Sequence, residues 1–181
     1  MEAAIVTPPS FACVVAADEQ RCIGRDNDLP WPRLRGDVAH FKAITTRTRQ
    51  PGAHNAVIMG RRTWDSVPPR LRPLSGRLNV VVSRGRPALP DGVVLAGGLD
   101  QALAAATAAG AETLYLVGGG TLYAEAVADP RCELVYYTRI AARFDGDSFF
   151  PPFEHAYVLE AADPPIREGE IRYDIERWRR R

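Results

Sequence analysis

Several places in the chain combine residue types that can bind or polarise a ligand. Asp37 stands near the start of a helical pattern with Phe41 one turn later on the same face. An acid there serves either as a chemical group or as a partner for the helix dipole, and Phe41 serves either a ligand or the core. In Gly60-Arg61-Arg62-Thr63 a buried-strand pattern meets a glycine and two arginines that open a short helix. Free backbone N–H groups beside guanidinium groups make an anion site. Ser83-Arg84 offers a second hydroxyl and guanidinium at a strand terminus. Either arginine group also reads as solvated surface. After Val117 comes Gly118-Gly119-Gly120-Thr121-Leu122-Tyr123, a strand running through three glycines into a helix. Glycines there let backbone approach a pyrophosphate, although the spacing is not the dinucleotide fingerprint. Two anion sites beside a glycine turn suit a phosphorylated dinucleotide of the NADP type, and nothing in them specifies a substrate.

The elements that must position these residues follow from the apolar pattern. Apolar runs of strand length at 11–17, 56–59, 78–82, 93–95, 113–117 and 134–140 suit strands buried on both faces. Helical patterns at 37–46, 99–109 and 121–128 fall between several of them. Such alternation predicts an α/β fold with a predominantly parallel central sheet flanked by helices. Ligands then bind beyond the carboxyl ends of the strands, where the residues above lie. Residues 157–160 and 170–178 read as two further strands without a helix between them, forming a C-terminal antiparallel hairpin at the sheet edge. The 18–34 connection is long and aperiodic, and its Leu29-Pro30-Trp31-Pro32 segment favours a lid over a disordered insert.

Length and composition narrow the classes. A chain of 181 residues, 46% hydrophobic and 25% charged, fits one compact domain over residues 1–181, with flexible ends at 1–10 and 179–181. A net charge of +1 argues against nucleic acid or a membrane surface as partner. Nearly all the positive charge is arginine, Lys42 being the only lysine, which reflects coding bias before function. Cys13, Cys22 and Cys132 lack metal-ligand spacing and read as free thiols, so no metal is expected. No apolar stretch is long enough for a membrane span and no leader is evident, which predicts a cytoplasmic protein.

Taken together, Ile23-Gly24, Leu29-Pro30-Trp31, Asp37, Phe41, 57–64, Arg77, 117–123 and Thr138 resemble the dihydrofolate reductase family, in one order from Phe11 to Trp178. The acid six residues after Trp31 and the long 68–76 segment resemble eukaryotic members, while Asp rather than Glu at 37 resembles microbial and protozoan ones.

The resemblance implies NADPH-dependent reduction of dihydrofolate to tetrahydrofolate, serving one-carbon metabolism and thymidylate synthesis. It implies a monomer that binds antifolates such as methotrexate. Similar domains in protists are fused to thymidylate synthase, so fusion to or association with that enzyme is a further expectation. On this reading Asp37, Thr138 and Trp31 are the catalytic set. Asp37 binds the pterin N3–H and 2-amino group, Thr138 supports it, and Trp31 helps close the lid. Hydride passes to C6, and water protonates N5. Val14, Val15, Phe41, Val117 and Tyr123 line the substrate, and Arg77 grips the glutamate α-carboxylate. Ala16, Ile23, Gly24 and Ser66 lie around the nicotinamide. Gly60, Arg61, Arg62 and Thr63, with Ser83 and Arg84, hold the adenosine phosphates. Val117 through Tyr123, with Gly118, Gly119, Gly120, Thr121 and Leu122, cradles the pyrophosphate, with a cis peptide at Gly118-Gly119. His40 and Asp28 depart from the family pattern, one on the helix and one in the lid.

Two other readings remain open on the sequence. The pyrimidine reductase of riboflavin biosynthesis shares the fold and the cofactor, but gives no reason for Asp37, Phe41 and Arg77 to occur together. A non-catalytic binding module would use the arginines and aromatics as a surface, whereas here the aromatics fall on strands and helix faces suited to a core.

Overall fold

The computed structural model describes residues 9–181. In chain order they form β1 (Phe11–Ala17), β2 (Cys22–Gly24), α1 (Arg35–Thr46), β3 (Asn55–Gly60), α2 (Arg61–Ser66), β4 (Arg77–Val82), β5 (Val94–Ala96) and α3 (Leu99–Ala108). Then follow β6 (Leu114–Leu116), α4 (Gly120–Ala128), β7 (Cys132–Ile140), β8 (Ser148–Phe149), β9 (Tyr157–Ala162), β10 (Ile166–Glu168) and β11 (Ile171–Arg180).

The continuous apolar runs become the parallel part of one sheet, in the order β7-β1-β6-β3-β4-β5. Successive side chains on a strand point to opposite faces, so each run feeds two cores. Cys13 and Val15 of β1, Ile58 of β3 and Val80 of β4 pack with Leu103 of α3 and Leu122 of α4. Ala12, Val14, Val57, Met59 and Val81 face the other way, onto Trp64 of α2 and the flank of α1 that carries Phe41 and Ile44. Asp37 and the glycine turn therefore approach the same strand ends from opposite faces of the sheet.

The C-terminal hairpin forms, but it does not stand at the edge as a simple pair. β11 runs antiparallel to β7 and lies inside the sheet, with β9 and β10 both paired to its outer side. The loop expected between the two strands thus contains β10. Arg179 and Arg180 belong to β11 rather than to a flexible tail. Arg180 donates to the carbonyls of Cys132, Val127 and Asp129 at 2.8 to 2.9 Å and stacks on the Tyr157 ring. A terminal arginine run looks solvated in sequence, yet here one guanidinium satisfies three carbonyls between the last turn of α4 and the start of β7. Of the expected flexible N-terminus, residues 1–8 lie outside the described residues.

All three cysteines are unbonded and buried, with Cys13 Sγ 3.6 Å from Cys132 Sγ. Among the described residues no helix is long and apolar enough to cross a membrane. No cluster of His, Cys, Asp and Glu among them could hold a metal ion.

Candidate active site

Asp37 lies in the first turn of α1. Its Oδ1 accepts the Thr138 hydroxyl at 2.6 Å, from a residue paired in register with Ala16 of β1. Burial pushes the Asp37 carboxyl above its ordinary range, the Thr138 hydrogen bond and the nearby His40 pull it back, and Glu168 adds to the rise. Burial likewise lowers His40, against the pull of Asp37 and Asp163. The result is a mostly desolvated carboxylate with one oxygen fixed and the other free to accept N–H donors.

One further turn along α1, Phe41 is half-buried beside Arg77 of β4, whose guanidinium carbon is 5.9 Å from the ring centroid. Arg77 is held by donation to Thr45 Oγ1 at 2.9 Å and to the Ser75 carbonyl at 3.0 Å. Burial lowers it from the usual arginine value, which still leaves it charged. No carboxylate of the described residues lies within salt-bridge distance of it, so this positioned cation calls for an external anion. Val14 and Val15 of β1 and Tyr123 of α4 are buried, with Val117 half-buried just after β6. The Tyr123 hydroxyl donates to the Val14 carbonyl at 2.6 Å, which leaves that carbonyl one lone pair for a ligand.

On the other side stands the glycine turn. The Gly118-Gly119 peptide is cis, and Gly118 has φ +139°, a conformation open to glycine. A Cβ on Gly118 would also sit 2.9 Å from Thr63 Oγ1, so α2 and the turn meet backbone against side chain. The Gly60 N–H donates to the Gly118 carbonyl at 2.8 Å and locks the two together. Leu122 is buried beneath this turn and Thr121 is exposed. Arg61, Arg62 and Arg84 are exposed around it, with Ser83 half-buried at the end of β4. Arg61 pairs with Asp65 one turn on, while Arg62 and Arg84 have no acidic partner among the described residues. Ser66 is exposed at the end of α2, its hydroxyl donating to the Thr63 carbonyl.

The lid is more ordered than an aperiodic sequence suggests. Ile23 and Gly24 lie in β2, which pairs with β8 from the distant 148–149 segment. Its tip folds back through reciprocal Arg25 and Asp28 backbone hydrogen bonds around Asp26 and Asn27, both with positive φ, as in a type I′ turn. Its base is fixed by Asp18, whose carboxylate accepts the N–H groups of Gln20, Cys22 and Phe144 at 2.7 to 2.8 Å. Trp31 is 4% exposed and packs edge-on against Phe144. Its indole N–H has no protein acceptor among the described residues, so solvent or a ligand must supply one.

Asp18, Glu168 and Tyr173 were not singled out from the sequence. Each acts on backbone N–H groups or a carboxylate that only folding brings near, and residue spacing carries no sign of it. A separate cleft of about 440 Å³ lies on the far flank of α1, bordered by His40, Arg47, Tyr115 and Tyr136. It contains neither Asp37 nor the glycine turn.

A family model described as dihydrofolate reductase matches residues 10–180. The chain is 37% identical over 175 residues to the dihydrofolate reductase of Rattus norvegicus, covering 91% of this chain and 94% of that protein. It is 40% identical over 174 residues to that of Drosophila melanogaster, covering 92% and 95%. It is also 38% identical over 174 residues to the bifunctional dihydrofolate reductase-thymidylate synthase of Glycine max, where it spans 33% of the relative's length.

Proposed function

The chain belongs to the dihydrofolate reductase family, and from that membership we propose that it reduces dihydrofolate to tetrahydrofolate with NADPH as the reductant. The observation that carries the substrate reading is the pair of poles on either side of Phe41. Asp37 offers a fixed, desolvated carboxylate to the N3–H and 2-amino donors of a pterin. Arg77 offers a positioned cation without an acid partner to the carboxylate at the other end of the same molecule. Phe41 packs between them on the pterin and benzoyl region, with Val14, Val15, Val117 and Tyr123 as the remaining walls.

The residues on the far side fit NADPH. Backbone at Gly118-Gly119 has no room for a side chain beside Thr63, which is the bare approach a pyrophosphate needs. Arg62 and Arg84 supply unpaired charge for the adenosine phosphates, with Arg61, Thr63 and Ser83 beside them. Ala16, Ile23, Gly24 and Ser66 would hold the nicotinamide, which when bound would supply the hydride for pterin C6.

What the chain itself contributes is orientation, desolvation and proton control. Thr138 offsets part of the burial that raises the Asp37 carboxyl and keeps it aimed, so the pterin is bound in one tautomer and one orientation. Asp37 grips the edge of the ring remote from N5, so the proton reaches N5 through water while Asp37 sets the ring's electrostatics. The lid built on β2, with Trp31 beneath it, covers the reacting edges and limits solvent. A thymidylate synthase, the partner named in the bifunctional relatives, is on this reading a fused or separate companion, and the site lies in the cytoplasm.

The test is the absorbance at 340 nm after purified protein, NADPH and dihydrofolate are mixed, with and without methotrexate. Methotrexate-sensitive decay is expected. Folded protein that gives none overturns the proposal.

A further inference from the structure

Asp37 occupies the third position of α1, where an acid ordinarily turns back to accept one of the unpaired N–H groups of its own first turn. It does not do so here, and accepts the Thr138 hydroxyl instead. Leu34, at the helix cap, supplies no side-chain hydrogen bond. The N–H groups of Arg35 and Gly36 are satisfied by the two oxygens of Glu168, each at 2.7 Å, from the end of β10. Glu168 is itself fixed, because its Oε1 also accepts the Tyr173 hydroxyl at 2.5 Å.

We propose that Glu168 is a positioning residue for substrate: by capping α1 from β10 it leaves the Asp37 carboxylate free to face the pterin. The inference rests on the reading of Asp37 as the pterin-binding acid. Gly36 is part of the device. A Cβ there would stand 2.3 Å from Tyr173 Oη and 3.0 Å from Glu168 Oε1, so the clamp closes on bare backbone. The strand behind the clamp also sets the opposing partner, because Ile175 of β11 pairs in register with Thr138 while Ile171 pairs with Glu168. β11 therefore carries on its two sides both the acid that caps the start of α1 and the hydroxyl that draws Asp37 forward.

The experiment measures dihydrofolate and NADPH dissociation constants and turnover for the wild-type chain, Glu168→Ala, Glu168→Gln, Asp37→Asn and the Asp37→Asn/Glu168→Ala double variant. Glu168→Ala should weaken dihydrofolate binding by about 10- to 100-fold, the value of one misaimed hydrogen bond to a charged group, with NADPH affinity unchanged. Glu168→Gln keeps one oxygen acceptor and should recover part of that loss. In the Asp37→Asn background the same Ala substitution should add nothing further to the loss, since its action runs through Asp37. Equal, additive losses in both backgrounds, or lower thermal stability with dihydrofolate affinity intact, would overturn the proposal. A wild-type chain that binds no dihydrofolate would instead sink the substrate reading beneath it.

Discussion

Replacing Asp37 by Asn changes one atom of the site, and the surrounding geometry decides what that change does. Thr138 donates to Asp37 Oδ1 at 2.6 Å, and a variant that keeps that bond holds the amide oxygen on that side and turns the amide nitrogen to the pterin. One pterin donor then meets another donor, and the remaining hydrogen bond loses its charge assistance. A charge-assisted bond contributes about 1.5–3 kcal/mol, and an unsatisfied buried donor costs about 1–3 kcal/mol. The combined loss of about 2.5–6 kcal/mol corresponds to roughly 10²- to 10⁴-fold in kcat/KM for dihydrofolate. The fold should not suffer. Burial raises the Asp37 carboxyl, so its ionisation opposes folding at pH above that raised value and is without effect below the ordinary carboxylate range. Asp37→Asn should therefore match or exceed the wild-type chain in urea stability at pH 7, and the advantage should disappear as the pH falls toward 4. Initial rates at 340 nm across pH 5–8 should recover partly in acid, where dihydrofolate arrives already protonated. Full activity at pH 7, or a rate loss matched by loss of folded protein, would refute the reasoning.

Three further substitutions probe separate parts of the site. Arg77→Leu should weaken dihydrofolate by about 10- to 100-fold, the value of a bond to a charged partner, and leave NADPH within about twofold, both read by fluorescence titration. Equal losses for both ligands would point to misfolding. Arg84→Ala should lower the ratio of kcat/KM for NADPH over NADH by about tenfold, and an unchanged ratio would mean that another residue reads the 2′-phosphate. Gly36→Ala should destabilise the chain by about 1–3 kcal/mol in urea unfolding because its methyl group strikes Tyr173 Oη, although helix propensity alone predicts a gain of about 1 kcal/mol. A stability gain would show that the clamp on α1 yields easily.

Residue order alone declares the parts of this protein that are written locally. Continuous apolar runs at β1, β3, β4 and β7 declare strands buried on two faces, because only a doubly covered sheet needs them. The glycines at 118–120 declare a close backbone approach, because their lack of Cβ is a property of the residues themselves. Asp37, Phe41 and Arg77 could be named from sequence only as a set that resembles a family, since each alone reads as a helix acid, a core aromatic or a surface cation. Tertiary structure decided the rest. Distant pairing of β2 with β8 gives the lid a frame that no periodicity within 18–34 encodes. Insertion of β11 between β7 and the outer strands turned a presumed tail into structure, because Arg180 found the carbonyls at the end of α4 that only the folded chain brings near. Glu168 is an ordinary surface type in sequence, and it gains its role from lying within hydrogen-bond reach of a helix start more than 130 residues earlier in the chain, where the Tyr173 hydroxyl holds it. Local pattern fixes which face a residue presents, while the partner it meets depends on the path of the whole chain.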